Sequence, residues 1–346
     1  MRYIRMIVLM LTGALLLCFV SCGKKNEPKT RTYYEYFDTV CYISSYRENE
    51  SEAEFSEICD ELEVVMKEYN RASDIYREYE GVNNLATVNK NAGVAPVTVP
   101  EELIGLLTYG NEIYELTGGE VNIAMGAVIS LWHDSREAAE KGTAALPSES
   151  ALSEASEHIS IECIEIDRER LTVYINDPKA AINVGAICKG YVAERCAELL
   201  EEKGIGSYVL NFGGNIRAVG TKPNGEGWVT GITDPQDPDG GFVTRITLSD
   251  ASCVTSGSYQ RYFTVENKNY HHIIDKDTLY PSEYFTSVSV ITPDSALADA
   301  LSTALFSMSF EEGLALCRTI GGVEAIWIDL NGEMRSTEGI DAILIK

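Results

Sequence analysis

Three short runs between Ser256 and Thr303 hold residue types suited to binding a phosphorylated ligand and a cation. They are Ser256-Gly257-Ser258-Tyr259, His271-His272-Ile273-Ile274-Asp275 and Ala298-Asp299-Ala300-Leu301-Ser302-Thr303. Asp299 and Thr303 are four residues apart in a segment patterned as helix, which stacks their oxygens on one face. A carboxylate and a hydroxyl so placed suit a hard divalent cation such as Mg²⁺, which takes few protein oxygens and shares its shell with phosphate and water. The same pair is common on ordinary helices, so the spacing alone does not establish a metal site. His271 and His272 are adjacent in a segment patterned as strand and therefore point to opposite faces, so only one can face a given pocket. A satisfied structural histidine is the usual fate of such a residue. The nearby Asp275 and the Ser256-Gly257 turn strengthen a functional reading.

Four glycine-centred segments accompany these runs: Gly118-Gly119-Glu120-Val121-Asn122, Asn183 to Gly190, Asn211-Phe212-Gly213-Gly214-Asn215, and Ser256-Gly257. Glycine lets backbone approach a ligand closely, so several such turns at element ends can cradle phosphates or a flat ring. The turn from Gly185 to Gly190 is the strongest, because it opens a helix whose N-terminus attracts anions and Lys189 adds a positive charge there. It lacks the Walker spacing of a P-loop, and no Gly-x-Ser-x-Gly nucleophile elbow occurs.

Mixed periodicities position these segments. Helical spacing covers Phe55 to Tyr69, Pro100 to Thr117, Lys189 to Lys203, the segment carrying Asp299, and Glu311 to Ile320. Strand patterns cover Thr39 to Tyr46, a hairpin of Ile159 to Ile166 with Leu171 to Ile175, and Tyr208 to Phe212. They recur at Trp228 to Thr233, Phe242 to Leu248, Gln260 to Val265, Phe285 to Ile291, Ala325 to Asp329 and Ala342 to Ile345. Runs of strands mixed with a few long helices argue for an α+β fold of mainly antiparallel sheets with packed helices, not a doubly wound sheet.

The N-terminus bears on compartment. Arg2 and Arg5 precede an apolar run from Met6 to Val20, a secretory signal in length and flanks, which ends in Ser21-Cys22-Gly23 like a bacterial lipobox. Residues 1–21 read as signal peptide, Cys22 as the acylated N-terminus, residues 22–32 as tether, and 33–346 as a single domain or two closely packed lobes. Lipid would then hold the protein on the outer face of a bacterial membrane. The net charge of −25, with no basic cluster after Lys25, argues against nucleic acid as a partner. Seven cysteines follow Cys22 with no CxxC or Cys/His ligand spacing, which does not support zinc, and most read as buried thiols.

In order along the chain, these segments resemble the ApbE family of Mg²⁺-dependent FAD:protein FMN transferases, whose architecture is T-fold-like. Phe37-Asp38-Thr39 is similar to the family's MGT segment, Gly118 to Trp132 to GGAFDPTVGPLVxLW, and Ile182 to Gly190 to DLGGIAKG. Asn211 to Asn215 is similar to NxGGN, Gly231 to Pro235 to the segment ending in DP, and Ser256 to Tyr262 to SGxYxRY. His271 to Pro281 follows HHIIDPxTGxP, and Ala298 to Thr303 is ADALST. The resemblance implies FAD as substrate and Mg²⁺ held by a backbone carbonyl of Ala186 or Gly185 together with Asp299 and Thr303. It places Lys189 near the FAD phosphates, and Phe37, Glu120, Val121, Asn122, Asn183, Ser256, Gly257, Tyr259 and His272 around the nucleotide, with His272 and Asp275 as candidates for base catalysis.

The implied reaction is attack by a Ser or Thr hydroxyl of an acceptor flavoprotein on the FMN phosphorus of FAD, with AMP leaving. Implied acceptors are flavoprotein subunits of membrane redox complexes of the Rnf or Nqr type, or extracytoplasmic flavoproteins. Departures from the pattern fall at Asn122 and Asn183, which replace aspartates, at Ala186 for glycine, at Lys276 for proline and at Leu279 for glycine. An Asp-to-Asn change keeps hydrogen bonding and removes charge. Two other functions stay open on these departures: hydrolysis of FAD to FMN and AMP, and flavin binding without catalysis.

Overall fold

The computed structural model describes residues 27–345, so the signal segment and Cys22 lie outside the described residues. Strands β1 (Lys29–Tyr33) and β2 (Cys41–Ser45) lead into helix α1 (Glu52–Ser73). Ser51 and Glu54 close a capping box at the start of α1, and Phe55, Ile58, Leu62, Met66 and Tyr69 line its buried face. Then come α2 (Leu85–Lys90), β3 (Val97–Thr98), α3 (Glu101–Leu116), α4 (Gly126–Glu140), α5 (Glu149–Ser156), β4 (Ile164–Asp167) and β5 (Thr172–Ile175). Helix α6 (Cys188–Glu202) precedes strands β6 (Tyr208–Phe212), β7 (Asn215–Val219), β8 (Trp228–Thr233), β9 (Phe242–Leu248) and β10 (Ala251–Gly257). The chain continues through β11 (Tyr262–Val265), β12 (Lys268–His271), β13 (Phe285–Thr292), α7 (Ser295–Phe306), α8 (Phe310–Ile320), β14 (Glu324–Asp329) and β15 (Met334–Ser336).

An eight-stranded sheet in the order β1-β2-β6-β7-β10-β13-β14-β15, antiparallel at every pairing, forms the frame. The architecture is α+β with antiparallel sheets and packed helices, as the strand patterns imply. Alternation along its central strands feeds two cores. Val254, Val288, Val290, Ala325 and Trp327 join the core made with α1, α6 and α7. Their neighbours Cys253, Ile291, Ile326 and Ile328 join a second core under the β8–β9 hairpin, with Trp228, Ile246 and Leu248. A third cluster gathers Met125, Val128, Trp132, Leu152 and Phe263. Being covered on both faces explains why β13 is buried at every position but Thr286, its serines at 287 and 289 included.

Several boundaries differ from the sequence reading. The tether overlaps the fold, because Lys29 to Thr32 belong to β1 and pair with β2. Ile161–Cys163 is a 3₁₀ turn ahead of β4, and the segment read as a closing strand at Ala342 to Ile345 follows another such turn at Glu338–Ala342. Only Leu344 makes a β-bridge there, to Ile246, because Ile345 and its neighbours run past β9 without a continuous ladder. Strand β11 starts at Tyr262, not Gln260, since the preceding residues form the turn that aims Arg261. The sequence reading also passed over α2, β3, α4, α5, β7 and β15, and gave no bounds to the strands that end at Gly257 and His271.

All seven cysteines from Cys41 to Cys317 are buried free thiols, and burial raises their pKa values, to about 11 for Cys163 and Cys188. A thiol so withdrawn from water is a poor nucleophile. In the chain beginning at Glu27, Ellman's reagent is therefore expected to titrate essentially no thiol under native conditions and all seven in denaturant; fewer than seven in non-reducing denaturant would reveal a disulfide.

Candidate functional site

The site is built where α6 and α7 cross. Gly190, in the first turn of α6, has an N–H with no partner within its own helix, and it donates to Asp299 Oδ2 of α7 at 2.7 Å. The helices meet so closely that a Cβ on Gly190 would lie 2.3 Å from both Asp299 Cβ and the Ser295 carbonyl oxygen. Lys189 Nζ stands 3.7 Å from the other oxygen, Asp299 Oδ1. Asp299 is buried, so its charge is offset by an amide, by the positive end of α6 and by this ammonium.

The start of α7 is itself pinned. Asp294 Oδ1 accepts the N–H groups of Ala296 and Leu297, and Glu194 Oε2 of α6 accepts that of Ser295 at 2.6 Å. Glu194 is in turn bonded by Arg217 Nε of β7 at 3.2 Å, and Arg217 also pairs with Glu201 and Asp250. Burial pushes the Glu194 carboxyl up and the Arg217 charge draws it back. This buried network ties both site helices to the sheet, and no local sequence pattern marks Arg217.

Around this crossing the sequence-predicted segments converge. Asn183 Oδ1 accepts the Gly185 N–H at 2.9 Å and so shapes the turn that holds Ala186 and leads into α6. The Asn183 N–H bonds the Ile123 carbonyl at 2.8 Å, joining this turn to the segment after Asn122. Ser256 and Ser302 hydroxyls meet at 2.8 Å, and Ser302 donates to the Asp299 carbonyl at 2.9 Å, tying the end of β10 to α7. Gly257 leaves room for the half-buried Tyr259 ring, which would lie 2.6 Å from a Cβ there.

The N-terminal turn reaches the same place. Phe37 and Asp38 both carry positive φ, 56° and 50°, in a turn held by the bond from Phe37 N–H to Asn70 Oδ1 at 2.8 Å. The Phe37 ring stacks on Phe212 with centroids 6.4 Å apart. Arg261 Nη2 donates to the Asp38 carbonyl at 3.1 Å, and the Arg261 carbonyl accepts both the backbone N–H and Nδ1–H of His272, each at 3.2 Å. Arg261 is therefore a site residue that the sequence reading quoted within a motif and did not single out.

The two histidines divide as alternation requires, although His271 ends β12 and His272 lies just beyond it. His271 is satisfied: Nε2–H donates to the Ser282 carbonyl at 2.8 Å, Nδ1 accepts from Ile273 N–H at 3.3 Å, and the ring meets Phe306 edge-on. His272 has surface on the cleft, yet protein crowds most of its ring. That desolvation, and next the Arg261 charge, push its pKa down to about 3, with Lys189 contributing in the same direction. Because Nδ1 must donate to a carbonyl, the neutral ring keeps its lone pair on Nε2.

Glu120, Val121, Asn122 and Asp275 belong to two turns that meet through Glu120 and Lys276. Val121 is buried in the main core. Asn122 uses both ends of its amide, Nδ2 to the Ile159 carbonyl and Oδ1 from Ala124 N–H, each at 2.8 Å. An aspartate could not donate to Ile159, so asparagine here has a structural use of its own. Asp275 Oδ1 accepts the N–H groups of Asp277 and Thr278, which commits it to shaping a turn. Glu120 Oε1 lies 3.3 Å from Lys276 Nζ.

Oxygen donors suited to a hard cation are present. Asp299 Oδ2 takes the Gly190 amide, and Oδ1 stands 3.7 Å from Lys189 Nζ. The Thr303 hydroxyl makes only a 3.5 Å contact to the Asp299 carbonyl, and the Ala186 turn supplies backbone oxygen. Among the described residues no three His, Cys, Asp or Glu side chains are placed to share a metal ion, so a cation held by Asp299 and Thr303 would complete its shell from backbone, water and phosphate. The donor set fits Mg²⁺.

The sequence model of the ApbE family matches residues 37–327, a span that holds every segment of this site. The chain belongs to the ApbE family. Among relatives, the FAD:protein FMN transferase of Treponema pallidum is 31% identical over 94% of this chain and 92% of that protein. The FAD:protein FMN transferase of Klebsiella pneumoniae is 28% identical over 76% and 80%. The crystal structure of the ApbE protein from Thermotoga maritima superposes with a TM-score of 0.81 at 24% identity, covering 92% of this chain and all of that one. The flavin transferase ApbE from Vibrio cholerae gives 0.74 at 22% identity, over 92% and 99%. Against the ApbE pattern, Leu279 keeps the backbone a glycine would supply, with φ of 63°.

Substituting Gly190 by alanine should force α6 and α7 apart. Overpacking of this kind costs roughly 1–3 kcal/mol. Urea unfolding of Gly190→Ala is expected to show a loss in that range, whereas alanine at the open Gly204, which has no atom within 4 Å of a Cβ, meets only backbone strain.

Proposed function

We propose that this protein is a Mg²⁺-dependent FAD:protein FMN transferase that acts outside the cytoplasm from a lipid anchor at Cys22. The observation that carries the reading is the Asp299–Gly190–Lys189 arrangement at the start of α6, an anion-attracting helix end beside a cation-ready carboxylate. Names of the Treponema and Klebsiella relatives support it. Asp299, Thr303 and the Ala186 carbonyl would hold Mg²⁺, which when bound neutralises pyrophosphate charge and stabilises the leaving phosphate. Lys189 faces the same phosphates and opposes the charge that grows on the departing AMP.

The chain's own groups supply the rest. An acceptor Ser or Thr oxygen bonds to the FMN phosphorus as the bond to the AMP oxygen breaks, and the hydroxyl proton goes to a base. His272 Nε2 is that base, with Asp275 shaping the turn behind it. The depressed pKa is a resting-state property: pyrophosphate beside Lys189 and Arg261 offsets the positive field on the ring and raises its proton affinity as substrate arrives. Phe37 and Tyr259 offer apolar faces to the flavin ring. The acceptor is a flavoprotein of a membrane redox complex, or an extracytoplasmic flavoprotein, reached from the outer membrane face.

Incubation with FAD, Mg²⁺ and an acceptor flavoprotein domain should add one FMN by mass, with AMP in equal amount. AMP formed without any acceptor would instead favour hydrolysis, and FAD binding without AMP at any Mg²⁺ concentration would sink catalysis altogether. Asp299→Ala should abolish turnover together with its Mg²⁺ dependence; a residual rate that still rises with Mg²⁺ would show that Asp299 is not a ligand.

The free enzyme's His272 is neutral well below its ordinary 6.5. The profile of kcat/KM for FAD should therefore show no histidine limb between about pH 5 and 8. The unfolded chain takes up that proton more readily, so the stability linked to His272 is complete above 6.5 and is lost as pH falls toward 3. His272→Gln should flatten that part of the melting-temperature profile.

A further inference from the structure

Two of the positions where this chain leaves the ApbE pattern touch each other. Glu120 stands where the pattern has alanine and Lys276 where it has proline, and their charged atoms are 3.3 Å apart. Their side chains are mostly withdrawn from water, 16% and 26% exposed, whereas Asp277, the other partner of Lys276 at 2.7 Å, is 77% exposed. Among the described residues Glu120 has no second cation. Such a pair differs from an exposed one, because removing the lysine strands a half-buried carboxylate.

What the pair joins gives it a use. Glu120 lies in the turn after α3, and Lys276 begins the turn that follows His272 by four residues. That second turn has neither the proline nor the glycine of the pattern. Proline would fix the Lys276 backbone covalently, and glycine would accept the left-handed conformation that Leu279 holds at φ of 63°. The turn is held by contacts instead: Asp275 Oδ1 on two amides, Trp132 Nε1–H on the Leu279 carbonyl at 2.9 Å, and Lys276 on Glu120. Of these, only the last reaches the Gly118–Asn122 segment.

We propose that Glu120 and Lys276 are positioning residues, an ion pair that clamps the turn following His272 onto the Gly118–Asn122 turn and thereby presets the cleft for the flavin nucleotide. The ligand in this proposal rests on the transferase reading above. Neither residue touches the reacting phosphorus; both act through the segment that carries His272.

The asymmetry of the partners makes the test specific. FAD is titrated by flavin fluorescence into the mature protein with Mg²⁺, for the unsubstituted chain, Lys276→Gln, Glu120→Gln and the double variant, with thermal melting of the same samples. Lys276→Gln is expected to raise the half-saturating FAD concentration about tenfold, since it leaves Glu120 uncompensated. Glu120→Gln leaves Lys276 its exposed partner Asp277 and should cost about threefold. The double variant should recover to the level of Glu120→Gln, because the stranded carboxylate is gone. Equal affinity in all four proteins, additive losses, or a fall in melting temperature with unchanged affinity would overturn the proposal. No FAD binding by the unsubstituted protein would overturn the transferase reading, a result distinct from any pattern among the variants.

Discussion

The contact between Gly190 and Asp299 is the constraint on which the rest of this structure depends. An amide in the first turn of one helix has no partner in its own ladder, and the carboxylate of a second helix takes it, but only if the two backbones come within the reach of an unsubstituted Cα. That closeness fixes where Lys189 stands relative to Asp299. It also requires α7 to be held at its N-terminus, which Glu194 and Asp294 do by accepting its first amides. Arg217 completes the chain of support by joining Glu194 to β7, so a surface cleft inherits the rigidity of the antiparallel sheet.

Electrostatics at the cleft run against the whole-chain balance. A protein of net charge −25 gathers Lys189 and Arg261 around His272 and keeps Asp299 as the buried counter-charge. Repulsion from the acidic surface and attraction at this one place would together concentrate a polyanion where the helix ends point. Burial lowers the pKa of His272 first, and the Arg261 and Lys189 charges lower it further.

The turns that border the site are held differently. Asn122 and Asn183 look like losses when set beside a pattern with aspartate, since each removes a charge. In three dimensions each amide shapes local backbone: Asn122 bridges Ile159 and Ala124, and Asn183 closes the turn at Gly185. Asp275 likewise shapes a turn. These residues hold the cleft's form, and in the proposed reading the chemistry falls to Lys189, His272, Asp299 and Thr303.

The sequence by itself determined the α+β class, the long helices and central strands, the burial of the cysteines and the family, because periodicity and motif order are local properties. Helix spacing was enough to put Asp299 and Thr303 on one face, and alternation to separate His271 from His272. It missed short elements such as α2, β3 and β15, whose stability comes from neighbours far away in the chain, and it extended the tether into β1 because pairing with β2 leaves little mark on five polar residues. Only the tertiary structure decided which histidine was free, since that rests on the Ser282 and Arg261 carbonyls. It alone brought Arg217 to Glu194 and Lys276 to Glu120, contacts between residues 23 and more than 150 positions apart. Side-chain charge and shape are written in the sequence, but their pairing is settled by the close approach of backbones that only packing enforces.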